Sequence, residues 1–231
     1  MRPKQVLETY DEEYASSYDQ RFILNPDGGL LEKTMFEAAL IRKMTANSRS
    51  WLDVACGTGY FLKNARGNPH LQCAGLDLSP AMLAHARLGN PDAVFIQADF
   101  RLPQQVLEGR WDFVSCLWGA YSLQERFSDI GALVRNLATW TRSGGSCMMP
   151  VFDPRKLLRL RESNELRPGM SVSDDGTRWS LVEPSGKRHD NMLSPPVRSM
   201  ETIFRRHFLS VSRYPYPPSA ENEFVGLIAR K

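Results

Sequence analysis

Four cysteines in 231 residues are too few and too scattered for a disulfide scaffold, and Cys56, Cys73, Cys116 and Cys147 include no Cys-x-x-Cys pair of a zinc site. No metal is expected. All four fall in or beside apolar strand-like runs, so they read as buried, reduced thiols of a cytoplasmic protein. No apolar run approaches the length of a membrane span, and Met1 to Glu8 lacks the apolar core of a secretion signal. A surplus of one charge sign is missing too. The net charge of +3 is a mild excess, not the dense basic stripe of a nucleic-acid binder, so neither nucleic acid nor membrane is expected as a partner. Internal repeats and low-complexity tracts are also absent. What the chain does have is 42% hydrophobic residues, enough for one sizeable α/β domain and short of two.

The run Trp51-Leu52-Asp53-Val54-Ala55-Cys56-Gly57-Thr58-Gly59 is an apolar strand that stops on an acid and breaks into a turn of small residues before an amphipathic segment. Glycines at 57 and 59 let the backbone approach a ligand that a Cβ would exclude, and the helix after them presents unpaired N–H groups to a carboxylate or phosphate. A dinucleotide turn would place a third glycine at 62, where this chain has Leu62, so the pyrophosphate reading weakens. A second strand ends at Asp77, the position at which such folds grip a ribose diol. A third, Phe95-Ile96-Gln97-Ala98, runs into Asp99 and Phe100.

Three successive strands each ending in Asp, with a glycine turn after the first, resemble the class I S-adenosylmethionine-dependent methyltransferases. Asp53 to Gly59 is similar to that family's first motif, Leu76 to Met82 to its ribose motif, and Ala98-Asp99-Phe100 to its adenine motif. Trp111 to Ala120 resembles the fourth strand and the loop beside the transferable methyl, and Ser143 to Pro150 the turn into the fifth strand. Tyr10 to Tyr14 and Tyr18 to Phe22 resemble the N-terminal Tyr-Asp lid of small-molecule methyltransferases, including those acting on amino sugars. One position departs: Ala55 stands where the family usually has its first glycine.

The resemblance implies an α/β, Rossmann-like, doubly wound and mostly parallel seven-stranded sheet with an antiparallel last strand, an N-terminal helical lid and an inserted β-hairpin. It implies S-adenosyl-L-methionine as cofactor, surrounded by Tyr18, Phe22, Asp53, Ala55, Gly57, Gly59, Asp77, Leu78, Met82, Asp99, Phe100, Leu117 and Trp118. Residues 1–231 are expected to form one domain. Within it, residues 1–50 supply the lid and a helix, 51–154 the cofactor core, 155–195 an acceptor-side insertion, and 196–231 the last helix and strand pair.

Periodicity puts strands at 50–54, 72–77, 93–97, 111–117 and 145–151, and helices at 59–66, 80–88, 103–107 and 125–141. Residues 5–24 read as one short helix over the cofactor mouth, 25–29 as a turn, and 30–44 as a helix beside the first strand. Thr177–Glu183 and Arg188–Leu193 flank Pro184-Ser185-Gly186-Lys187 as a hairpin. A helix over 196–207 and strands over 209–214 and 223–229, joined through Pro215-Tyr216-Pro217-Pro218, close the chain.

The acceptor pocket is expected around Trp179, Gly186 and His189, and Tyr121, His189 and Asp190 are the candidate bases. Arg155, Lys156, Arg159 and Arg161, with Arg205, Arg206 and Arg213, read as solvated faces before they read as an acidic-ligand site. The expected activity is methyl transfer to N or O of a small molecule, and a homodimer is compatible with it. Two alternatives stand beside it. Nucleic-acid methylation lacks its Asp/Asn-Pro-Pro-aromatic run after the fourth strand, and a non-catalytic cofactor-binding protein stays open because no base is obvious.

Overall fold

The computed structural model describes residues 3–26, 30–216 and 224–231. A seven-stranded sheet is built from β1 (Ser50–Val54), β2 (Gln72–Asp77), β3 (Val94–Gln97), β4 (Trp111–Ser115), β5 (Thr141–Phe152), β9 (Ser210–Pro215) and β10 (Phe224–Arg230). Their order is β3-β2-β1-β4-β5-β10-β9, and β10 alone runs antiparallel to both of its neighbours. The expected mostly parallel sheet with an antiparallel last strand is therefore present. Chain order reverses direction between β1 and β4, which opens a crevice at the C-terminal ends of β1, β2 and β4.

Strand alternation sends neighbouring side chains to opposite faces. Trp51, Cys73, Phe113 and Met148 go to one apolar layer, and Leu52, Ala74, Val114 and Cys147 to the other. The first layer is closed by α3 (Leu30–Thr45), α4 (Tyr60–Asn64) and α5 (Pro80–Gly89) through Ile41, Leu62 and Leu83. The second is closed by α6 (Phe127–Trp140) and α8 (Val197–Arg205), whose buried Ile130, Leu133, Val134 and Leu137, and Val197, Met200, Ile203 and Phe204, repeat at helical spacing.

The structure redraws four expectations. The single helix over 5–24 is α1 (Pro3–Thr9), α2 (Glu12–Tyr18) and a π-turn over Asp19–Ile23, because the Asp11 carboxylate caps α2 by accepting from Tyr14 N–H at 2.9 Å. The inserted hairpin is a three-stranded antiparallel sheet of β6 (Met170–Val172), β7 (Arg178–Val182) and β8 (Arg188–Leu193). Its first strand is only three residues long and was hidden in a charged stretch. The expected helix at 103–107 is a 3-10 turn over Gln105–Leu107, and β5 starts at Thr141, directly after α6. Helix α7 (Pro154–Glu162) starts on a Pro behind the Asp153 cap. Asp27 to Gly29 of the first turn, Pro217 and Pro218, and Glu223 lie outside the described residues.

Gly75 shows how tightly the strand beneath the first turn is packed. A Cβ there would stand 2.6 Å from Cys56 Sγ and 2.7 Å from the Phe95 ring. Gly75→Ala should therefore destabilise the fold by about 1–3 kcal/mol, read as a lowered urea midpoint at unchanged slope.

Candidate active site

The turn after β1 is a series of left-handed residues: Ala55 at φ 55°, Gly57 at 54° and Gly59 at 72°. Ala55 adopts a conformation that costs an L-residue on the order of 1 kcal/mol, which is the physical reason a glycine suits that place. At Gly57 a Cβ would meet nothing within 4 Å, so the backbone here borders open cleft. At Gly59 a Cβ would stand 2.8 Å from Asn90 Nδ2, which donates to the Gly59 carbonyl at 3.2 Å. Gly59 thus shapes the turn from behind and does not line the cleft.

Asp77 organises this region. Its Oδ2 accepts from Gly57 N–H at 2.8 Å, and its Oδ1 from Ser79 N–H at 2.9 Å. Burial raises its pKa, opposed by backbone hydrogen bonds from Ser79, Gly57 and Leu78. A carboxylate offers about four lone-pair sites, so three backbone donors leave it room for a ligand hydroxyl. Asp53 sits behind the wall, 2% exposed, with Oδ1 accepting from Ser115 Oγ at 2.6 Å while Trp51 Nε1 donates to that hydroxyl at 2.8 Å. Burial, with Asp77 and Glu37 adding to it against the Ser115 hydrogen bond, pushes its pKa up to about 7. Its side chain links β1 to β4 and does not line the cleft.

Ala55, Gly57, Asp77, Leu78, Met82, Asp99 and Phe100 line one end of a cleft of about 1370 Å3, open mouth included. Asp99 is held by Arg101, whose Nε donates to both carboxylate oxygens at 2.9 and 3.1 Å. Burial acts to raise Asp99, but the hydrogen bonds and charge of Arg101 outweigh it and hold the carboxyl below its ordinary range. Leu117 and Trp118 continue the wall; Trp118 has φ 55°, with Lys33 Nζ 4.0 Å from its ring centroid. At Gly119, φ 68°, a Cβ would stand 2.7 Å from the Phe152 ring, so only glycine lets Trp118 turn beside that ring.

The lid is an aromatic ladder. Tyr10, Tyr14, Tyr18 and Phe22 recur every four residues, with ring centroids 5.2, 5.8 and 5.1 Å apart in sequence order, and all four line the cleft. One side of the lid grips the cofactor end, where Thr58 Oγ1 donates to Asp19 Oδ1 at 2.5 Å and Ser79 Oγ to the Tyr10 carbonyl at 2.6 Å. The other grips the inserted sheet, where the Tyr14 hydroxyl donates to Glu183 Oε1 at 2.5 Å and Arg21 pairs with Glu183 Oε2. Tyr10, Tyr14 and Arg21 lie in the segments that resemble a lid but were not singled out as cofactor residues, and Glu183 was not expected at the site. The four-residue aromatic spacing announced the tyrosines, whereas Glu183 meets them only through the β7–β8 register.

His189 lines the cleft at 4% exposure, its Nε2 2.5 Å from Glu183 Oε1. A carboxylate only accepts, so Nε2 carries the proton and is committed to Glu183. Burial first, then Lys187 and Arg21, push His189 down to about 4, which leaves it neutral near pH 7. The other two candidate bases are displaced. Tyr121 is fully buried in the core, its hydroxyl accepting from Phe152 N–H at 2.7 Å, and burial raises its pKa far above neutrality. Asp190 faces outward and pairs with Arg188 at 3.1 Å, as strand alternation requires once His189 faces in.

Trp179, Met170, Leu181, Met192, Phe152 and Phe224 complete the far wall. Gly186, at φ 82°, shapes the β7–β8 turn and does not line the cleft. Of the basic residues singled out in the sequence, Arg155, Arg161 and Arg213 pair with Asp153, Asp174 and Glu201, Lys156 donates to the Phe224 carbonyl, and none lines the cleft. No cluster of His, Cys, Asp or Glu suited to a metal occurs among the described residues. None of their helices is long and apolar enough to cross a membrane.

With this geometry the chain belongs to the methyltransferase domain family, whose profile matches residues 15–207. It is 32% identical over 136 residues to the dTDP-3-amino-3,4,6-trideoxy-alpha-D-glucopyranose N,N-dimethyltransferase of Streptomyces venezuelae, covering 59% of this chain and 56% of that one. The match to a second sugar N,N-dimethyltransferase, from Streptomyces fradiae, is 41% over 83 residues and covers 36% and 31%. These alignments thus span about half or less of the curated relatives. Among solved structures, DesVI of Streptomyces venezuelae superposes with a TM-score of 0.67 at 22% identity, covering 96% of this chain and 100% of that one. CalS10 of Micromonospora echinaspora, described as an amino pentose methyltransferase bound to S-adenosylmethionine, superposes at 0.63 with 18% identity, covering 96% and 98%. S-adenosylmethionine is the cofactor of this family, and the open backbone at Gly57 beside Asp77 fits it.

Keeping His189 neutral couples the fold to pH. The unfolded chain binds a proton at this position near pH 6.5 and the folded one only near 4, so its stabilisation is full above pH 6.5 and is lost as pH falls toward 4. Its full size is roughly 3 kcal/mol at most. His189→Gln should remove that slope: the stability difference between wild type and variant, from urea unfolding at pH 7.5 and 4.5, should shrink at the lower pH.

Proposed function

We propose that the protein transfers a methyl group from S-adenosylmethionine to a nitrogen of a small-molecule acceptor. The observation that carries this reading is one continuous cleft, with the Asp77–Gly57 cradle at one end, an apolar wall at the other, and the aromatic ladder over both. Relatives named as sugar N,N-dimethyltransferases support nitrogen as the target. The cofactor supplies an activated methyl on a sulfonium. In this reading Asp77 holds its ribose diol, Leu78, Met82 and Phe100 flank its base, and Tyr18 and Phe22 keep water from the sulfonium.

The protein's work is then alignment. A neutral amine would direct its lone pair at the cofactor's methyl from the side opposite the sulfur, the cleft walls would hold that alignment and exclude water, and the proton released from nitrogen would pass to water. An amine delivered neutral needs no strong base, which agrees with a His189 whose Nε2 proton is committed to Glu183. Residues 51–154 serve the cofactor and 155–195 the acceptor in this division. A cytoplasmic location belongs to the same reading and rests on four free, buried cysteines.

S-adenosylmethionine and its demethylated product should each stabilise the fold by about 2.7 kcal/mol at a hundredfold excess over Kd, whereas NAD should not. Asp77→Ala should weaken cofactor binding tenfold or more in calorimetry, since it removes charge-assisted hydrogen bonds and releases Gly57. Transfer of labelled methyl to low-mass amines tests the activity itself. Cofactor binding without transfer to any amine would favour a non-catalytic binder.

A further inference from the structure

The residues after β3 are fixed at three points beside the cradle. Ala98 N–H donates to the Asp77 carbonyl at 3.0 Å, Asn136 Nδ2 to the Phe100 carbonyl at 2.8 Å, and Leu102 N–H to the Asp99 carbonyl at 3.0 Å. Asp99 and Arg101 stand on this turn, and both line the cofactor end of the cleft. Their side chains are only partly covered, 14% exposed for Asp99 and 23% for Arg101, so a molecule in the cleft has access to the pair. Leu78, Met82 and Phe100 offer the apolar surface for a flat ring beside them.

A carboxylate in this place is suited to accept the amino group of adenine, but here both of its oxygens are taken. Oδ1 accepts from the Arg101 backbone N–H at 3.0 Å and from Arg101 Nε at 2.9 Å, and Oδ2 accepts from Nε at 3.1 Å and from Nη2. A carboxylate offers about four lone-pair sites, so these four contacts use them. For Asp99 to take an amino N–H from a base, it would have to exchange a bond to a cation for a weaker one to a neutral donor. The guanidinium, by contrast, has donors to spare. Nε and Nη2 are turned to Asp99, while the N–H groups of Nη1 have no partner among the described residues and are not sealed from solvent. The hydrogen bonds from Asp99, and its charge, hold Arg101 above its ordinary range against burial, so the pair stays ionised.

We infer that Arg101, and not Asp99, reads the edge of the cofactor's adenine, its guanidinium donating to a ring nitrogen while Asp99 holds the fork in place. Arg101 is then a cofactor-binding residue and Asp99 a positioning residue whose carboxylate does not touch the base. The two assignments make opposite demands on the base. A carboxylate asks for the 6-amino donor, whereas a guanidinium asks for acceptors. Hypoxanthine separates them, because it replaces the amino group with an acceptor, O6, beside N7, the pair of atoms that arginine takes from guanine.

The test is calorimetry without turnover, comparing S-adenosylhomocysteine with S-inosylhomocysteine, which carries hypoxanthine in place of adenine. The wild type should bind the inosyl ligand no more than about threefold more weakly than the adenosyl one. Arg101→Met releases Asp99, whose carboxylate then meets the amino group of one ligand and O6 of the other, so this variant should prefer the adenosyl ligand by about tenfold or more. Asp99→Asn is nearly isosteric and keeps the arginine, so it should leave the ratio of the two Kd values within about threefold of wild type. The wild-type comparison stands even where a variant fails to fold. A wild-type preference for the adenosyl ligand beyond about threefold, an unchanged ratio in folded Arg101→Met, or a shift of about tenfold toward the inosyl ligand in Asp99→Asn would overturn the inference and leave the cofactor assignment intact. Failure of the wild type to bind either ligand would overturn both together.

Discussion

Everything around the cleft hangs on the Asp77 carboxylate. It ends β2, yet its two oxygens hold the backbone of two other segments, Gly57 in the turn after β1 and Ser79 at the cap of α5. A turn with three left-handed residues in five would be expensive to order by itself. Tied to a carboxylate through the Gly57 N–H, its shape is set before any ligand arrives. The price is a buried charge, which the protein meets with backbone donors rather than with a cation. Ser79 then passes the constraint on, capping α5 at Met82 and holding the Tyr10 carbonyl of the lid.

The cradle and sheet were legible in the sequence because they obey local rules. Strands end on acids, glycines sit where φ is positive, Ser-Pro opens a helix, and β-branched and aromatic residues alternate across the sheet. Asp77 and Gly57 could therefore be picked out from the strand end and the turn, and Leu78 and Met82 from the family resemblance. Asp53 and Gly59 share that motif but face the interior, and only the packing of β1 against β4 and of α4 against α5 decides which way such residues turn. Tyr121 and Asp190 failed for a related reason. A position near a strand end says nothing of which face the side chain takes, and one residue of register exchanges Asp190 for His189.

The acceptor side was less legible. The three-residue β6 carries too little pattern to be seen, and Glu183, His189 and Tyr14 meet only because a turn in the inserted sheet lies against a helix far away in the chain. The aromatic ladder is the exception, because its four-residue spacing is local even though its contacts are not.

The Tyr14–Glu183 hydrogen bond spans 169 residues. Such a contact closes a very long loop, whose entropic cost must be met before the bond is made, so it forms after the sheet that holds Glu183 in place. The lid precedes its Glu183 anchor by 169 residues, so it leaves the ribosome well before the turn between β7 and β8 that holds it. For most of synthesis the tyrosines have no wall to close against. The cleft is then the last part of the molecule to be enclosed, and any partly folded form with the inserted sheet undocked presents four aromatic rings to its surroundings.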